Sequence, residues 1–345
     1  MKKIDLKSME INQLKQLFLD MNEKAFRGEQ TFKWIHDKLV QSIDDITVLS
    51  TDLRDKLNKD CNIMSLKLLK RYDSNIDETK KYLFLLEDDN IIESVMMKYK
   101  HGISICISTQ VGCRMGCSFC ASTKDGLVRN LTPGEILDQF YSVQRDIGNK
   151  ISNVVLMGSG EPLDNYENVK KFLEIIHNEK GQNLSYRHIT LSTCGLVPKM
   201  YQLADEEIPI NLSISLHSPF DEERKKIMPV ANRYKISEIL DACKYYIKKT
   251  NRRVTFEYTL IKDVNDKQEY ANELTRLLKG MLCHVNLIPL NPIKEFKHKK
   301  SIDKSIKEFK SILEKGGVAT TIRREMGSDI NAACGQLRRD YISSK

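Results

Sequence analysis

The chain has 345 residues, 41% hydrophobic and 30% charged, the balance of an ordinary folded protein with a large core rather than a disordered or low-complexity chain. No apolar run is long enough to span a bilayer, which excludes an α-helical membrane protein. The opening MKKIDLKSMEINQLK has no apolar stretch after its lysines, and the nine cysteines are an odd number, so reduced thiols in a cytoplasmic protein are expected.

Residues 1–75 read as a small helical domain. Ile11, Leu14, Leu17, Phe18 and Met21 recur at helical spacing, and Phe32, Ile35 and Leu39 continue the pattern. Over residues 76–100 the period changes. YLFLLEDDNIIESVMMKY predicts two strands about the turn Asp88-Asp89-Asn90, a β-hairpin extension with Glu93 on its second strand. Residues 101–325 alternate strand and helix. Strands are predicted at Ile103–Ser108, Val154–Met157, Ile189–Leu191, Leu212–Leu216, Val254–Leu260 and Val285–Ile288, with a last short one at Val318–Ile322. Thr132-Pro133-Gly134-Glu135 opens a helix with a capping box and a proline in its first turn, and further helices are expected near Tyr166–His177, Ser237–Lys249 and Ser301–Lys315. Repeated β-α units imply a parallel sheet covered by helices, and an open partial barrel and a doubly wound sheet both fit them. Residues 326–345 form a C-terminal segment whose Gly- and Ala-rich surroundings suit an accessible thiol at Cys334.

The first strand of that array runs into Cys113-Arg114-Met115-Gly116-Cys117-Ser118-Phe119-Cys120. Three thiolates within eight residues select zinc, copper(I) or an iron–sulfur cluster. Structural zinc takes four ligands, and no nearby Cys or His supplies a fourth. In parallel β/α folds chemistry collects at the C-terminal strand ends. Here those ends carry Gly158-Ser159-Gly160-Glu161-Pro162, Ser192-Thr193, Ser215-Leu216-His217 and Pro289-Leu290-Asn291. Glu161 could grip an ammonium group, and Ser192, His217 and Asn291 could bond ribose or carboxylate oxygens. Alternation along Ile103–Ser108 puts Ile103, Ile105 and Ile107 on one face and Ser104, Cys106 and Ser108 on the other. A buried inert thiol is the default for Cys106, unless that second face lines a barrel interior. Cys61, Cys194, Cys243 and Cys283 are read as structural. Net charge is +8. Residues 1–100 hold 18 basic and 18 acidic side chains, whereas residues 290–345 hold 13 and 7. A solvated helix face explains that excess, and it would also attract RNA phosphates.

CxxxCxxC after the first strand, with an aromatic before its last cysteine, resembles the signature of radical S-adenosylmethionine (SAM) enzymes. GSGEPL is similar to their motif for the methionine amino group. With FRGEQTFKWI, ISLHSP and GSDINAACGQL, the likeness extends over nearly the whole chain to the RlmN family, radical SAM methyltransferases acting on carbon 2 of adenosine in 23S ribosomal RNA and in tRNA. One departure is Ser159, where that family usually has methionine. The fold implied is α/β, a partial (β/α)6 TIM-like radical SAM barrel with a small N-terminal helical domain and a β-hairpin extension.

The resemblance also assigns roles. Cys113, Cys117 and Cys120 would hold a 4Fe–4S cluster with one open iron, and Gly160, Glu161, Ser192, Ser215, Leu216, His217 and Asn291 would position SAM. Cys334 would accept a methyl group and, activated by a SAM-derived radical, bond to the adenine. Glu93 would take the ring proton, and Cys106 would release the product by forming a disulfide with Cys334. A flavodoxin- or ferredoxin-like electron donor, a monomeric chain and an RNA-contacting N-terminal domain are expected with it. Rival readings are a Cfr-like carbon-8 methyltransferase, a non-catalytic iron–sulfur protein with four protein ligands, and a radical enzyme acting on a small molecule or peptide. GSGEPL favours carbon 2 over carbon 8, since the Cfr-like motif tends to have alanine in place of Pro162.

Overall fold

The computed structural model describes residues 3–100, 102–291, 296–333 and 336. Three helices come first: α1 (Ile11–Asp20), α2 (Phe26–His36) and α3 (Thr51–Asp60). A three-stranded meander follows, β1 (Lys67–Asp73), β2 (Lys80–Leu85) and β3 (Ile91–Tyr99). The β/α array is then β4 (Gly102–Cys106), α4 (Pro133–Ile147), β5 (Asn153–Leu156), α5 (Tyr166–His177), β6 (Ile189–Thr193) and α6 (Val197–Asp205). It continues with β7 (Asn211–Ser215), α7 (Asp221–Ile227), α8 (Ile236–Thr250), β8 (Val254–Leu260), α9 (Gln268–Leu278), β9 (Cys283–Pro289), α10 (Asp303–Lys315) and β10 (Thr320–Ile322).

β1 to β10 lie side by side in chain order in one sheet. Pairings from β1 to β4 are antiparallel and those from β4 to β10 parallel. This open, helix-covered array is the partial barrel, and its six strands β4–β9 correspond to the six expected from the sequence. Residues 67–73 differ from the helical reading of 1–75. KLLKRYD has no helical stripe and pairs with β2, so the expected hairpin is a three-stranded meander continuous with the barrel.

One core runs through helical domain, meander and barrel, from Phe18 and Phe32 to Phe140, Leu191 and Phe256. Its polar fastening is on α4. Fully buried Lys7 donates to Asp138 at 2.6 Å, and the other Asp138 oxygen accepts the Leu66 N–H at 2.7 Å. Burial pushes the Asp138 carboxyl up, but the charges of Lys7 and Arg145 and the bonds it accepts outweigh this and hold it below the ordinary range. Nearby, the His36 ring bonds the Tyr141 hydroxyl through Nδ1 at 2.8 Å. Burial and the Lys7 charge lower its pKa from 6.5 to about 3.

Asp138→Ala would leave the Lys7 ammonium buried without its partner, and urea denaturation should show a loss of about 3–5 kcal/mol. A Lys7→Met/Asp138→Leu double variant should recover much of that, and an unrecovered double would overturn the charge argument. A depressed folded-state pKa means that the unfolded chain binds the His36 proton first. Its contribution is therefore present above pH 6.5 and lost as pH falls toward about 3. Between pH 7 and pH 4.5, His36→Gln should lose about 2 kcal/mol less stability than the unsubstituted chain.

Candidate active site

β4 delivers the cysteine loop, and short local bonds shape it. The ribbon Gln110–Gly112 pairs with Leu127–Asn130 and closes the loop's base. Thr123 Oγ1 accepts the Gly116 N–H at 2.8 Å and donates to the Cys113 carbonyl at 3.1 Å. The Ser118 N–H reaches the Ile227 carbonyl at the end of α7 at 2.9 Å. Gly112 has φ +74° and lies so close to Gly126 that no Cβ fits.

Cys113, Cys117 and Cys120 line one cavity with Gly160, Glu161, Ser192, Ser215, His217 and Asn291. Its empty space, mouth included, is about 930 Å³. Burial pushes the Cys113 thiol up to about 12, with the Cys120, Glu161 and Asp164 charges adding to it. It pushes Cys117 further, with the other two loop sulfurs contributing. Such thiols stay protonated at neutral pH unless a metal compensates their charge, the donor chemistry of a cluster-binding loop. Among the described residues no three His, Cys, Asp or Glu are gathered as one metal ion requires. A cluster, which gives each thiolate its own iron, takes a wider spread. The residues fit the group.

The sequence-derived cavity residues differ in what they do. Glu161 is buried, and its two oxygens accept the Leu163 and Cys194 N–H groups at 3.0 and 2.8 Å. It therefore ties the GSGEP loop to the end of β6, and burial raises its pKa against those bonds. His217 has φ +59°, and its Nδ1 accepts the Thr259 N–H at 2.9 Å. That fixes Nε2 as the protonated nitrogen, and burial lowers the pKa to about 3, so the ring is neutral. Its edge packs on Phe119 of the cysteine loop. Leu216 turns into the main core, and its backbone alone faces polar groups, accepting from Arg224 and donating to the Glu257 carbonyl. Ser159 bonds Ser122, just after the cysteine loop, at 3.1 Å.

Glu93 and Cys106 lie on a neighbouring surface. Val95 and Met97 of β3, Cys106 of β4, and Met326 and Ala332 form a second apolar cluster, apart from the main core. Strand period places Glu93 on the same face of β3 as Val95 and Met97, 3.6 Å from Lys81. Cys106 lines a second cavity, which shares Met157, Ile288, Asn291 and Arg323 with the first. Cys334 lies outside the described residues, and Ala333, its chain neighbour, lines this second cavity.

Sequence reasoning missed two charged groups. Arg224 is fully buried and donates to the carbonyls of Leu216, Cys194 and Ser215, leaving Nη1 without a partner. Glu257, buried on β8, lines the first cavity and accepts from Asn286 at 2.8 Å. Glu257 was discoverable as a carboxylate inside an apolar strand. Arg224 in DEERKKI reads as one of several helix-surface charges, and only tertiary structure separates it from Lys225 and Lys226.

A parallel β/α partial barrel whose first strand feeds three thiols into a cavity, faced by a Gly-Glu-Pro loop and polar strand ends, defines a radical SAM enzyme. The family model for the radical SAM superfamily matches residues 107–274, and that for the ribosomal RNA large subunit methyltransferase N-terminal domain matches residues 4–63. The "probable dual-specificity RNA methyltransferase RlmN" of Clostridioides difficile is 58% identical over 340 residues, 99% of each chain. The protein of that name from Alkaliphilus oremlandii is 58% identical over 344 residues, covering all of both. A crystal structure of a radical SAM methyltransferase from Sphaerobacter thermophilus superposes with a TM-score of 0.93 at 41% identity, over 97% of this chain and 99% of that one. The chain belongs to the RlmN family. Its cofactors are a 4Fe–4S cluster and SAM.

Gly160 has φ +108°, and a Cβ there would meet Gln110 backbone and side-chain atoms at 2.7–2.9 Å. Gly160→Ala should destabilise the fold by about 1–3 kcal/mol. It should also weaken SAM binding by the reconstituted protein at least about tenfold in equilibrium dialysis, equivalent to about 1.4 kcal/mol. Unchanged affinity would remove the loop from the SAM site.

Proposed function

We propose that this chain methylates carbon 2 of adenosine in ribosomal RNA and tRNA, with Cys334, Glu93 and Cys106 as its reacting residues. The observation that carries the pairing of thiols is the packing of Cys106 against Met326 and Ala332, two residues before Cys334. The dual specificity follows the printed name of the relatives.

Cys113, Cys117 and Cys120 hold the cluster and the adjoining cavity holds SAM, which together supply a transferable methyl group and the means to remove one hydrogen from it. Adenine carbon 2 lies between two ring nitrogens and is electron-poor, so it accepts a carbon radical and resists ordinary displacement on a sulfonium methyl. Cys334 carries the one-carbon unit to that carbon through its sulfur. Glu93, 3.6 Å from the Lys81 ammonium, takes the ring proton, and the one electron left on the adduct would pass to the cluster. The Cys106 sulfur then attacks that of Cys334. A disulfide forms, the carbon–sulfur bond to RNA breaks, and its electron pair stays with the carbon, which takes a proton and becomes the methyl group. Burial of Cys106 among Val95, Met97 and Met326 keeps water from the adduct.

Residues 1–75 and the basic stretch between residues 297 and 310 are the surfaces proposed to meet RNA, with 76–100 and 101–325 as extension and barrel and 326–345 as the segment carrying the methyl acceptor. A flavodoxin- or ferredoxin-like protein is the proposed electron donor, a monomer the proposed state, and the cytoplasm the proposed location. Among the described residues no helix is long and apolar enough to cross a membrane.

Reconstituted protein supplied anaerobically with SAM, dithionite and each RNA should yield 2-methyladenosine by mass spectrometry of the digested RNA. 8-Methyladenosine, or unmodified RNA, would overturn the reading. Cys106→Ala should accumulate RNA covalently bound to protein, visible as a shifted band on a denaturing gel. Normal yield of free methylated RNA would exclude Cys106 from the reaction.

A further inference from the structure

The hairpin between β1 and β2 lies at the sheet edge and contributes nothing to either cavity, yet it is bonded to the C-terminal segment at three points. Asp329 accepts the Ser74 hydroxyl at 2.7 Å on one oxygen and the Asn75 N–H at 2.8 Å on the other. Asp77 accepts the Gly327 N–H at 2.9 Å on one oxygen, while its other oxygen accepts its own hairpin's Thr79 N–H at 2.8 Å. From β2, Lys81 reaches the Asn331 carbonyl at 3.4 Å and the Glu93 carboxylate at 3.6 Å. Contact is close as well as polar. Gly327 has φ +60°, and a Cβ there would lie 2.7 Å from the Thr79 methyl and 2.9 Å from Ala332.

These bonds act on a short stretch with little regular structure. Residues 327–332 form one tight loop, with left-handed backbone at Gly327 and Asn331 and a bond from the Ala332 N–H back to the Gly327 carbonyl. Apolar contact at Met326 and Ala332 holds its ends against Cys106, Val95 and Met97. Apolar contact alone is non-directional and does not fix the angle at which the chain leaves Ala333. Directed hydrogen bonds to a rigid hairpin fix it. Both carboxyls are held below the ordinary range, Asp329 foremost by the Asn75 N–H; for Asp77 the N–H bonds outweigh burial, so the fastening uses ionised acceptors.

We propose that the β1–β2 hairpin is a clasp, with Asp77 and Asp329 as positioning residues that aim the segment ahead of Cys334 so that its thiol meets Cys106. This rests on the reading of Cys106 and Cys334 as a reacting pair. It gives the meander a task in the reaction, and it places two carboxylates in the mechanism without contact to substrate or cofactor. Lys81 extends the clasp to Glu93, so one strand orients both the proton acceptor and the segment leading to the methyl acceptor.

The test uses full-length protein carrying its cluster, so that Cys113, Cys117 and Cys120 are protected, in unsubstituted form and as the Asp77→Ala/Asp329→Ala and Asp77→Asn/Asp329→Asn doubles. Dibromobimane is the probe. Each thiol displaces one bromide, and peptide mapping reports the yield of the Cys106–Cys334 bridge. Hydrogen–deuterium exchange of the peptide spanning residues 327–333 is measured alongside. The Ala double should exchange at least about tenfold faster there and bridge several-fold less. Its melting temperature should move little, because Asp329 is exposed and Asp77 only half-buried, and the Asn double, which keeps one acceptor oxygen per residue, should be intermediate. Unchanged exchange in the Ala double would overturn the clasp. Faster exchange with an unchanged bridge yield would overturn its positioning role. No bridge in unsubstituted protein whose segment is protected would instead overturn the pairing of the two thiols.

Discussion

Strand β4 is paired antiparallel to β3 on one side and parallel to β5 on the other, and every functional group depends on its register. With Cys106 opposite Val95 and Val155, the two-residue period sends Ile105 and Ile107 into the main core and Cys106 to the other face. A slip by one residue would bury the thiol in the core and turn isoleucines toward the reaction. The register is pinned from outside the sheet. Gln139 of α4, fully buried, accepts the Ser108 N–H at 2.8 Å and donates to the Ser108 carbonyl at 2.9 Å. Its amide oxygen also accepts from Ser94 of β3 at 2.8 Å. One side chain thus locks both strands that carry the proposed proton acceptor and resolving thiol.

Ser108 extends that lock toward the cofactor loops. Its hydroxyl donates to the Glu93 carbonyl at 2.8 Å and accepts the Ser159 N–H at 3.0 Å. Ser159 in turn reaches Ser122 beside the cysteine loop. A satisfied buried polar line of this kind gives a single arrangement, since any shift leaves a donor or acceptor without a partner at a cost of about 1–3 kcal/mol. Position 159 thereby joins the two loops by a directed bond.

How much of this was readable beforehand depended on whether the signal was local. Cysteine spacing, the capping box at Thr132, and the apolar runs of the parallel strands are short-range features; the repeated β-α units implied a parallel sheet, and the choice of a partial barrel came from the family resemblance. β1 was not readable, because KLLKRYD is an exposed edge segment whose strand state comes from its partner β2. Leu216 and His217 are adjacent in the sequence and face opposite ways, which only the left-handed backbone at His217 reveals. The two backbone N–H groups that hold the Glu161 carboxylate in the cavity wall were likewise not readable from the sequence. Arg224, Asp77 and Asp329 were invisible for one reason. Each bonds residues 8 to 255 positions away, and an isolated charge in sequence carries no mark of its partner.

The two cavities adjoin, since Met157, Ile288, Asn291 and Arg323 belong to both. The parallel half of the sheet points its C-terminal strand ends into one, while the face shared by β3 and β4 supplies the other. An enzyme that only bound SAM would need the first alone. The second cavity is lined by Cys106 and by the residue before Cys334, with Val95, Met97 and Met326 on its apolar side and Arg324 and Glu325 on its polar side. For the proposed reaction it offers a chamber next to the cavity assigned to SAM. Four shared residues lie between the cofactor cavity and the one proposed for the transfer to RNA. The mixed sheet, antiparallel before β4 and parallel after it, builds both chambers from one continuous strand order.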